Sequence, residues 1–366
     1  MKSALRECDT LARIGGDEFV AVLVDLEKYE DSEAVLNRLL IAAATPVQTK
    51  NFELQVSASI GVTLYPQDNV DADQLLRHAD QAMYLAKQSG KNRYHVFDCH
   101  QDTDRKLHHE QKTRILFGLL AEEFILFYQP KVDMQNYQVM GVEALIRWQH
   151  PERGLLPPAE FMSFIENSEL DIQVGEWVIT TALKQIAEWR NIGLDLNISI
   201  NISATHLQMP DFVESLKHKL KQHPDLHPHQ LEIEVLETVA LADIQVVANI
   251  INACAALGVG FALDDFGTGY SSLSYLRKLP ANTLKIDQTF VRDMLADRDA
   301  SAIVQGVIAL AHTFSRKTVA EGVETAQHFK ALRKMQCDIG QGYGIARPMP
   351  AGDVFSWCQN YKQAND

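Results

Sequence analysis

Apolar residues in the first hundred positions recur at strand and helix spacings in alternation. Residues 19–24 form an apolar run typical of a strand, and residues 32–44 and 73–88 carry apolar positions at helical spacing. Between these two helices, residues 52–64 predict a long pair of strands. The order hairpin, helix, strand, helix, strand is that of part of an α+β domain, and we expect its first strand and helix to lie upstream of Met1.

A different pattern begins after the polar segment 98–112, which predicts either a linker or the exposed start of a helix. Beyond it, strand patterns alternate with helical ones such as 175–191 and 300–314, and this alternation is typical of a parallel sheet. The predicted strands lie near 124–133, 139–148, 196–203, 231–238, 259–265, 283–287, 318–322 and 337–345. Eight such strands predict an α/β fold with a (β/α)8-type barrel. We therefore divide the chain into a partial domain at 1–99, a linker at 100–112 and a barrel at 113–366.

Three of the predicted strands have one wholly polar face. Asparagine and serine alternate with leucine and isoleucine in LNISINIS at 196–203, Glu232 and Glu234 share a face, and so do Lys285 and Asp287. A single strand of this kind fits an antiparallel sheet with one solvated face equally well. Because three strands agree, we place the polar faces inside the barrel, where unpaired carboxylates are costly unless a cation compensates them.

The ends of the predicted strands supply oxygen donors for such a cation. These donors include no cysteine or histidine, so they suit Mg²⁺ or Mn²⁺ better than Zn²⁺. A carboxylate such as Asp264, next to Asp265, can bridge two ions about 3.5–4 Å apart, the arrangement that supports in-line attack on a phosphodiester. Barrel enzymes keep their active sites at this face. The candidate metal ligands are Glu143, Asn201, Glu234, Asp264, Asp265 and Glu321.

Composition narrows the possible partners and the compartment. The 366 residues include 48 acidic and 34 basic side chains, and the net charge of -14 disfavours binding to a nucleic acid polymer or to anionic lipid. The five cysteines form no CxxC pair and follow no signal peptide, which favours a reducing cytoplasm. We expect no membrane segment in this chain, because no stretch approaches about 20 consecutive apolar residues. A longer parent protein with a membrane anchor upstream remains an open alternative.

Seven motifs between 113 and 366 resemble, in their order, those of the EAL family. They are EALIRW at 143–148, NISA at 201–204, EVLET at 234–238, DDFGTGYSSL at 264–273, KID at 285–287, EGVET at 321–325 and QGY at 341–343. The resemblance implies a phosphodiesterase that hydrolyses the bacterial second messenger cyclic di-GMP to linear 5'-pGpG with two Mg²⁺ or Mn²⁺ ions per site. A receptor that binds cyclic di-GMP without cutting it, and a scaffold, are the alternatives.

The same resemblance assigns roles to individual residues. Glu143, Asn201, Glu234 and Asp264 would ligate one ion, Asp264 and Asp265 the other, and Glu321 would complete the site directly or through water. Glu237 would anchor the 264–273 loop, which takes part in homodimer contacts in this family. The implied catalytic residues are Glu143, Lys285, Glu321 and Gln341, with Lys285 beside the attacking water. The implied substrate contacts are Gln129, Arg147 and Asn201.

The N-terminal region resembles the C-terminal part of a GGDEF (diguanylate cyclase-like) domain. RIGGDEF at 13–19 matches the signature hairpin, supported by SIGVTLYP at 59–66 and AKQSGKNRYHVF at 86–97. Since that family takes another metal-binding aspartate from the first strand and helix, we expect no cyclisation of GTP by the residues present. Arg6 and Asp9 form an RxxD pair at the spacing of the family's inhibitory site, although RxxD alone is more often a surface pair. The candidate vestigial nucleotide or inhibitory residues are Arg6, Asp9, Gly15, Gly16, Asp17 and Glu18.

Overall fold

The computed structural model describes the chain except residues 27–28, 50–51, 239–242, 268–272 and 366. The described residues divide into two compact units, Met1–His109 and Glu110–Asp366. Within the described residues, no helix combines the length and the apolar character that crossing a bilayer requires.

The N-terminal unit consists of short strands and two helices. Its elements are β1 Thr10–Gly15, β2 Glu18–Val22, α1 Tyr29–Ala44, β3 Val47–Gln48, β4 Glu53–Leu54, β5 Ile60–Val62, α2 Ala72–Gln88 and β6 Tyr94–Val96. β1 and β2 form an antiparallel hairpin, β3 pairs with β4, and β5 pairs in parallel with β6. The hairpin and both predicted helices are present.

The predicted long strand pair over residues 52–64 is wrong. β4 ends at Leu54 and β5 begins at Ile60, and the two strands belong to different small sheets. The apolar residues that suggested continuous strands are largely exposed, with Phe52 71% and Val56 68% exposed. Close packing occurs instead between β5 and α2, where a Cβ on Gly61 would lie 1.8 Å from the Ala79 carbonyl oxygen. Only glycine permits this approach of strand and helix.

A long helix, α3 Cys99–Leu120, covers most of the segment predicted as a linker or helix start. Ten strands follow: β7 Phe124–Asp133, β8 Val139–His150, β9 Gly154–Leu156, β10 Asn197–Asn201, β11 Leu231–Leu236, β12 Gly260–Phe266, β13 Thr283–Ile286, β14 Lys317–Ala320, β15 Ile339–Gly340 and β16 Met349–Pro350. The helices that alternate with them are α4 Glu169–Asn191, α5 Ala204–Leu207, α6 Phe212–Gln222, α7 Ile244–Ala256, α8 Leu273–Lys278, α9 Gln288–Asp293, α10 Arg298–Thr313, α11 Ala326–Lys334 and α12 Ala351–Asn365.

Eight of these strands close a barrel, which confirms the predicted fold class. The order is β7-β15-β14-β13-β12-β11-β10-β8, and pairing of β8 with β7 completes the ring. β7 is the exception to the parallel arrangement, because it runs antiparallel to both β8 and β15. Only residues 134–138 separate β7 from β8, too few for a crossover connection between parallel strands.

The apolar core lies between the barrel and its helices. On β10, Ile198 and Ile200 are fully buried against this layer. The alternate side chains of the same strand, such as Ser199, point into the lumen and bond to residues of other strands. The polar faces predicted for the strands therefore do face the barrel interior.

Candidate active site

Six strands bring the candidate side chains to the carboxyl end of the barrel. Glu143 lies within β8, Asn201 ends β10, and Glu234 lies on β11. Asp264 and Asp265 lie near the end of β12, Lys285 lies on β13, and Glu321 follows β14 directly. The parallel register therefore collects residues that are far apart in sequence at one edge of the sheet.

Lys285 is the centre of this cluster. Its side chain is 1% exposed, and its ammonium faces carboxylates from four different strands or strand ends. Burial disfavours the charged ammonium, but the surrounding carboxylates outweigh it and hold the pKa of Lys285 well above its usual value. The Nζ to oxygen distances are 2.5 Å to Glu234 Oε2, 2.7 Å to Glu321 Oε1, 3.0 Å to Asp264 Oδ1 and 3.7 Å to Glu143 Oε1.

A chain of amide side chains orients Glu143. Gln341 donates through Nε2 to Glu143 Oε2 at 2.6 Å and to Gln129 Oε1 at 3.0 Å. Asn201 donates to the other oxygen, Glu143 Oε1, at 2.7 Å. Gln129 is itself fixed by donating to the Ala346 carbonyl at 3.0 Å. The structure thus brings together four of the residues predicted at the site.

A β-bulge lets two consecutive carboxylates serve the same site. β12 pairs with β13 through Leu263 and Leu284 and next through Phe266 and Ile286, so β12 carries one extra residue between the two pairs. Neighbouring side chains of a regular strand point to opposite faces. The bulge and the positive φ of 54° at Asp265 remove that constraint, and this local strain is of the kind found at functional sites.

Asp264, Asp265 and Glu321 form a compact acidic group whose ligand atoms lie within 4.8 Å of one another. Burial, with Asp264 nearby, raises the pKa of Asp265 to about 6, and burial raises the pKa of Glu321 to about 8. Burial also raises the pKa of Glu234, although Lys285 opposes the shift. These carboxylates crowd one another beyond what one ammonium compensates, and their oxygen donors fit a hard divalent cation such as Mg²⁺ or Mn²⁺.

A cavity of about 250 Å³ opens above the cluster. It is lined by Gln129, Glu143, Asp264, Gln288, Arg292, Glu321, Gly322, Glu324, Gln341, Gly342 and Tyr343. Sequence reasoning missed Gln288, Arg292, Glu324 and Tyr343. Arg292 Nε pairs with Glu324 Oε1 at 2.8 Å, which joins the helix after β13 to the segment after β14. The available signal was that Gln288 and Glu324 closely follow predicted strands and that Tyr343 lies in the QGY motif.

Two of the predicted site residues lie outside the cluster. The Arg147 guanidinium donates to the Ile146 carbonyl at 2.8 Å and lies over the Phe127 ring, and it does not line the cavity. Glu237 Oε2 accepts a hydrogen bond from the Gly267 amide at 3.1 Å, at the start of the predicted loop. The central loop residues, 268–272, lie outside the described part of the chain.

The candidate residues of the N-terminal unit lie on or near the surface. The Arg6 amide donates to Asp9 Oδ2 at 2.8 Å, and Arg13 Nε donates to the Gly16 carbonyl at 2.9 Å across the turn of the hairpin. Gly16 has a φ of 50°, which this tight turn requires. The hairpin residues Gly15, Gly16, Asp17 and Glu18 are all exposed.

A closed barrel with buried carboxylates around an ammonium at the carboxyl ends of its strands is the arrangement of a barrel enzyme. The family comparison agrees: residues 113–348 match the model described as "EAL domain", and residues 1–93 match "Diguanylate cyclase, GGDEF domain". The chain belongs to the EAL-domain family, with a GGDEF-family region at its N-terminus.

Curated relatives share both regions. The chain is 39% identical over 357 residues to the bifunctional diguanylate cyclase/cyclic di-GMP phosphodiesterase MucR of Pseudomonas aeruginosa, covering 97% of this chain and 52% of that protein. It is 35% identical over 359 residues to the cyclic di-GMP phosphodiesterase PdeR of Escherichia coli, covering 98% of this chain and 54% of that one. The chain therefore spans about half the length of the curated relatives it matches.

Solved structures match the barrel region. The structure titled "PaMucR Phosphodiesterase, c-di-GMP complex" is 41% identical with a TM-score of 0.65, covering 67% of this chain and 99% of that one. The EAL enzyme Bd1971, bound to cAMP and cyclic di-GMP, is 31% identical with a TM-score of 0.68, covering 80% of this chain and 77% of that one.

Proposed function

We propose that this chain hydrolyses cyclic di-GMP to linear 5'-pGpG. The observation that carries the proposal is the buried Lys285 ammonium facing Glu143, Glu234, Asp264 and Glu321 below a cavity. This ammonium lies in a chain of the EAL family, and the relatives of the chain include proteins named as cyclic di-GMP phosphodiesterases.

Two Mg²⁺ or Mn²⁺ ions are the proposed cofactors. When bound, such ions polarise a phosphate and lower the pKa of water. The donor set that would hold them consists of carboxylates and one amide, and Asp264, next to Asp265 in the sequence, would contribute to both ions. The proposed ligands are Glu143, Asn201, Glu234, Asp264, Asp265 and Glu321.

Lys285 acts in the proposed mechanism as a hydrogen-bond donor and a fixed positive charge. The carboxylates that face it favour the charged ammonium, so we assign it the role of a cation. It orients the attacking water and offsets the negative charge that grows on the phosphoryl oxygens as the new oxygen–phosphorus bond forms. As the water oxygen bonds to phosphorus, the water gives up a proton, the bond from phosphorus to the 3' oxygen breaks and the departing 3' oxygen takes up a proton. The phosphate is left on the 5' end of pGpG.

Amide side chains orient Glu143 and are proposed to contact the substrate. Gln341 and Asn201 hold both oxygens of Glu143, so this carboxylate cannot turn away from the site. Gln129 lines the cavity beside Gln341 and is the proposed substrate contact on β7. Arg147 and Asn201 are proposed substrate contacts as well; Arg147 Nη1 donates to the Ile146 carbonyl in this structure.

The remaining proposals concern the domain limits, the oligomeric state and the location of the protein in the cell. The domain limits 1–99, 100–112 and 113–366, a homodimer formed through the EAL region, and a location in the cytoplasm stay predictions. Free thiols at Cys8, Cys254, Cys337 and Cys358 fit a reducing compartment. Size-exclusion chromatography with light scattering tests the dimer.

The direct test of the activity is incubation of the purified chain with cyclic di-GMP and Mg²⁺ or Mn²⁺, followed by chromatography for pGpG. Ca²⁺ should support much less turnover, because its larger radius and looser coordination spoil a tight site. GTP serves as the substrate control, and we expect no cyclic di-GMP from it. Tight binding of cyclic di-GMP without any pGpG would contradict hydrolysis and would favour a receptor.

A further inference from the structure

The barrel lumen holds a second buried ammonium, at Lys131 on β7, which is 5% exposed. In the β7–β8 register Gln129 pairs with Glu143, whereas Lys131 pairs with Gly141. Gly141 precedes Glu143 on β8, so Lys131 lies deeper in the barrel than the cluster around Lys285. It does not line the cavity.

The contacts of Lys131 define a lower layer of the lumen. Its Nζ donates to Ser199 Oγ and lies 3.1 Å from Glu232 Oε2. Ser199 donates to Glu232 Oε2 at 2.7 Å, and Thr283 donates to Glu232 Oε1 at 2.8 Å. Both oxygens of Glu232 thus accept hydrogen bonds from groups of this lower layer.

Glu234 connects the two layers. Its side chain is fully buried, with Oε1 3.3 Å from the Lys131 ammonium below and Oε2 2.5 Å from the Lys285 ammonium above. Because a carboxylate is planar, holding one oxygen fixes the direction in which the other points. A side chain on β7 therefore influences how a side chain on β11 presents its other oxygen, Glu234 Oε2, to the active site.

We propose that Lys131 is a positioning residue of this enzyme, which holds Glu234 Oε1 from beneath so that Glu234 Oε2 faces the metal positions. The inference rests on the proposed function, since it takes Glu234 as a metal ligand. Partners that orient a ligand in this way typically contribute 10–100-fold to metal affinity or activity.

Removing Lys131 alone would leave Glu232 as a buried charge without its cation, which destabilises the fold for a reason unrelated to positioning. The informative variant is therefore Lys131→Met combined with Glu232→Gln, which removes both charges of the pair and keeps the side-chain lengths. Glu232→Gln alone is the matched control, because it keeps Lys131 in contact with Glu234.

The experiment measures Mn²⁺ affinity by equilibrium dialysis, and kcat and KM for cyclic di-GMP, in the full chain and both variants. We expect the double variant to bind Mn²⁺ about 10-fold more weakly and to lose about as much in kcat, with KM little changed because Lys131 is remote from the cavity. Glu232→Gln should resemble the unsubstituted chain in all three quantities.

A double variant with unchanged Mn²⁺ affinity and kcat would overturn the positioning role, while the unsubstituted chain still binds Mn²⁺ and cuts cyclic di-GMP. If the unsubstituted chain neither binds Mn²⁺ nor cuts cyclic di-GMP, the proposed function itself fails. A fall in melting temperature alone, at normal Mn²⁺ affinity, would show that Lys131 contributes only to stability and would also overturn the inference.

Discussion

Glu232 and Glu234 lie two residues apart on the same face of β11, yet their surroundings differ. Glu232 is bonded by Lys131, Ser199 and Thr283, and although burial opposes it, these partners lower its pKa to about 2. Glu234 lies among other carboxylates, and burial raises its pKa. The first carboxylate is bonded by one ammonium and two hydroxyls, whereas the second lies between two ammonium groups and close to a further carboxylate, Glu143.

The difference between Glu232 and Glu234 reflects two layers of side chains inside the barrel. The lower layer of the lumen pairs its charges within the fold, so that removal of one partner would leave a buried charge without compensation. The upper layer gathers Glu143, Glu234, Asp264, Asp265 and Glu321 around one ammonium, which leaves negative charge for a metal ion to balance. The following predictions test this difference between the two layers.

The largest effect is expected from Lys285→Ala. Loss of the ammonium should lower kcat by about 10²–10⁴-fold, because the attacking water and the charge on the phosphoryl oxygens lose their fixed partner. Mn²⁺ and substrate should still bind, since the carboxylates and Gln129 remain. Steady-state kinetics and Mn²⁺ dialysis check this, and a near-normal kcat would refute the role of Lys285.

The second prediction compares the two glutamates of β11 directly. Glu234→Gln should weaken Mn²⁺ binding by at least about 10-fold, because it removes a ligand charge. Glu232→Gln should leave the Mn²⁺ affinity close to that of the unsubstituted chain, because both Glu232 oxygens face protein donors. Equal losses in the two variants would show that the layers are not separate.

The third prediction concerns pH and the metal-free protein. Folding raises the pKa of Glu321 from 4.5 to about 8 and that of Asp265 from 3.8 to about 6, so the folded state holds these protons more tightly than the unfolded state. In EDTA, stability should therefore fall as the pH rises from about 4 to about 8, and above about pH 6 the fall should come from Glu321. A loss of about 1 kcal/mol would lower the melting temperature by about 2–4 °C.

Two controls test whether Glu321 and the other ligands cause this dependence of stability on pH. Glu321→Gln should remove most of the fall above about pH 6, and Mn²⁺ should stabilise the unsubstituted chain more at the higher pH, where its ligands are ionised. For Glu232 in the lower layer we expect the opposite dependence of stability on pH. The stability due to Glu232 is present above pH 4.5 and is lost as the pH falls towards about 2. A melting temperature that is constant in EDTA between about pH 6 and 8 would contradict the account of the upper layer.

The smallest effect is expected from Glu237→Ala, which removes the acceptor of the Gly267 amide without removing a ligand. A lost hydrogen bond of this kind costs about 1–3 kcal/mol, and part of it should appear as weaker Mn²⁺ binding through Asp264 and Asp265 just before Gly267. Dialysis and light scattering measure Mn²⁺ affinity and oligomeric state. If neither changes, the anchoring role is wrong.

The sequence was sufficient to predict the barrel and the composition of its upper layer. Alternation of polar and apolar residues in strands such as 196–203 places serine and asparagine on one face, because the strand period is two, and the agreement of three strands indicated that this face points inward. The antiparallel direction of β7 was missed, although residues 134–138 are too few for a crossover. The predicted strand pair at 52–64 failed because apolar residues such as Phe52 and Val56 are exposed rather than paired in one sheet.

Other features depended on contacts between distant strands. Nothing in the local pattern distinguishes Glu232 from Glu234, since the difference comes from Lys131, Ser199 and Thr283 on other strands. The bulge that turns both Asp264 and Asp265 toward the site arises from the pairing of β12 with β13. Such contacts appear only when the chain is folded, which is why Lys131 and Arg292 were not recognised from the sequence.

The central claim, that the upper layer is a metal-dependent phosphodiesterase site and the lower layer its support, is tested most directly by one assay. Formation of pGpG from cyclic di-GMP is followed in Mn²⁺ buffer for the unsubstituted chain, Glu234→Gln and Glu232→Gln. The account predicts rapid product formation by the unsubstituted chain and by Glu232→Gln, and a loss of at least about 10-fold for Glu234→Gln. No product from the unsubstituted chain, or equal rates for the two variants, would contradict it.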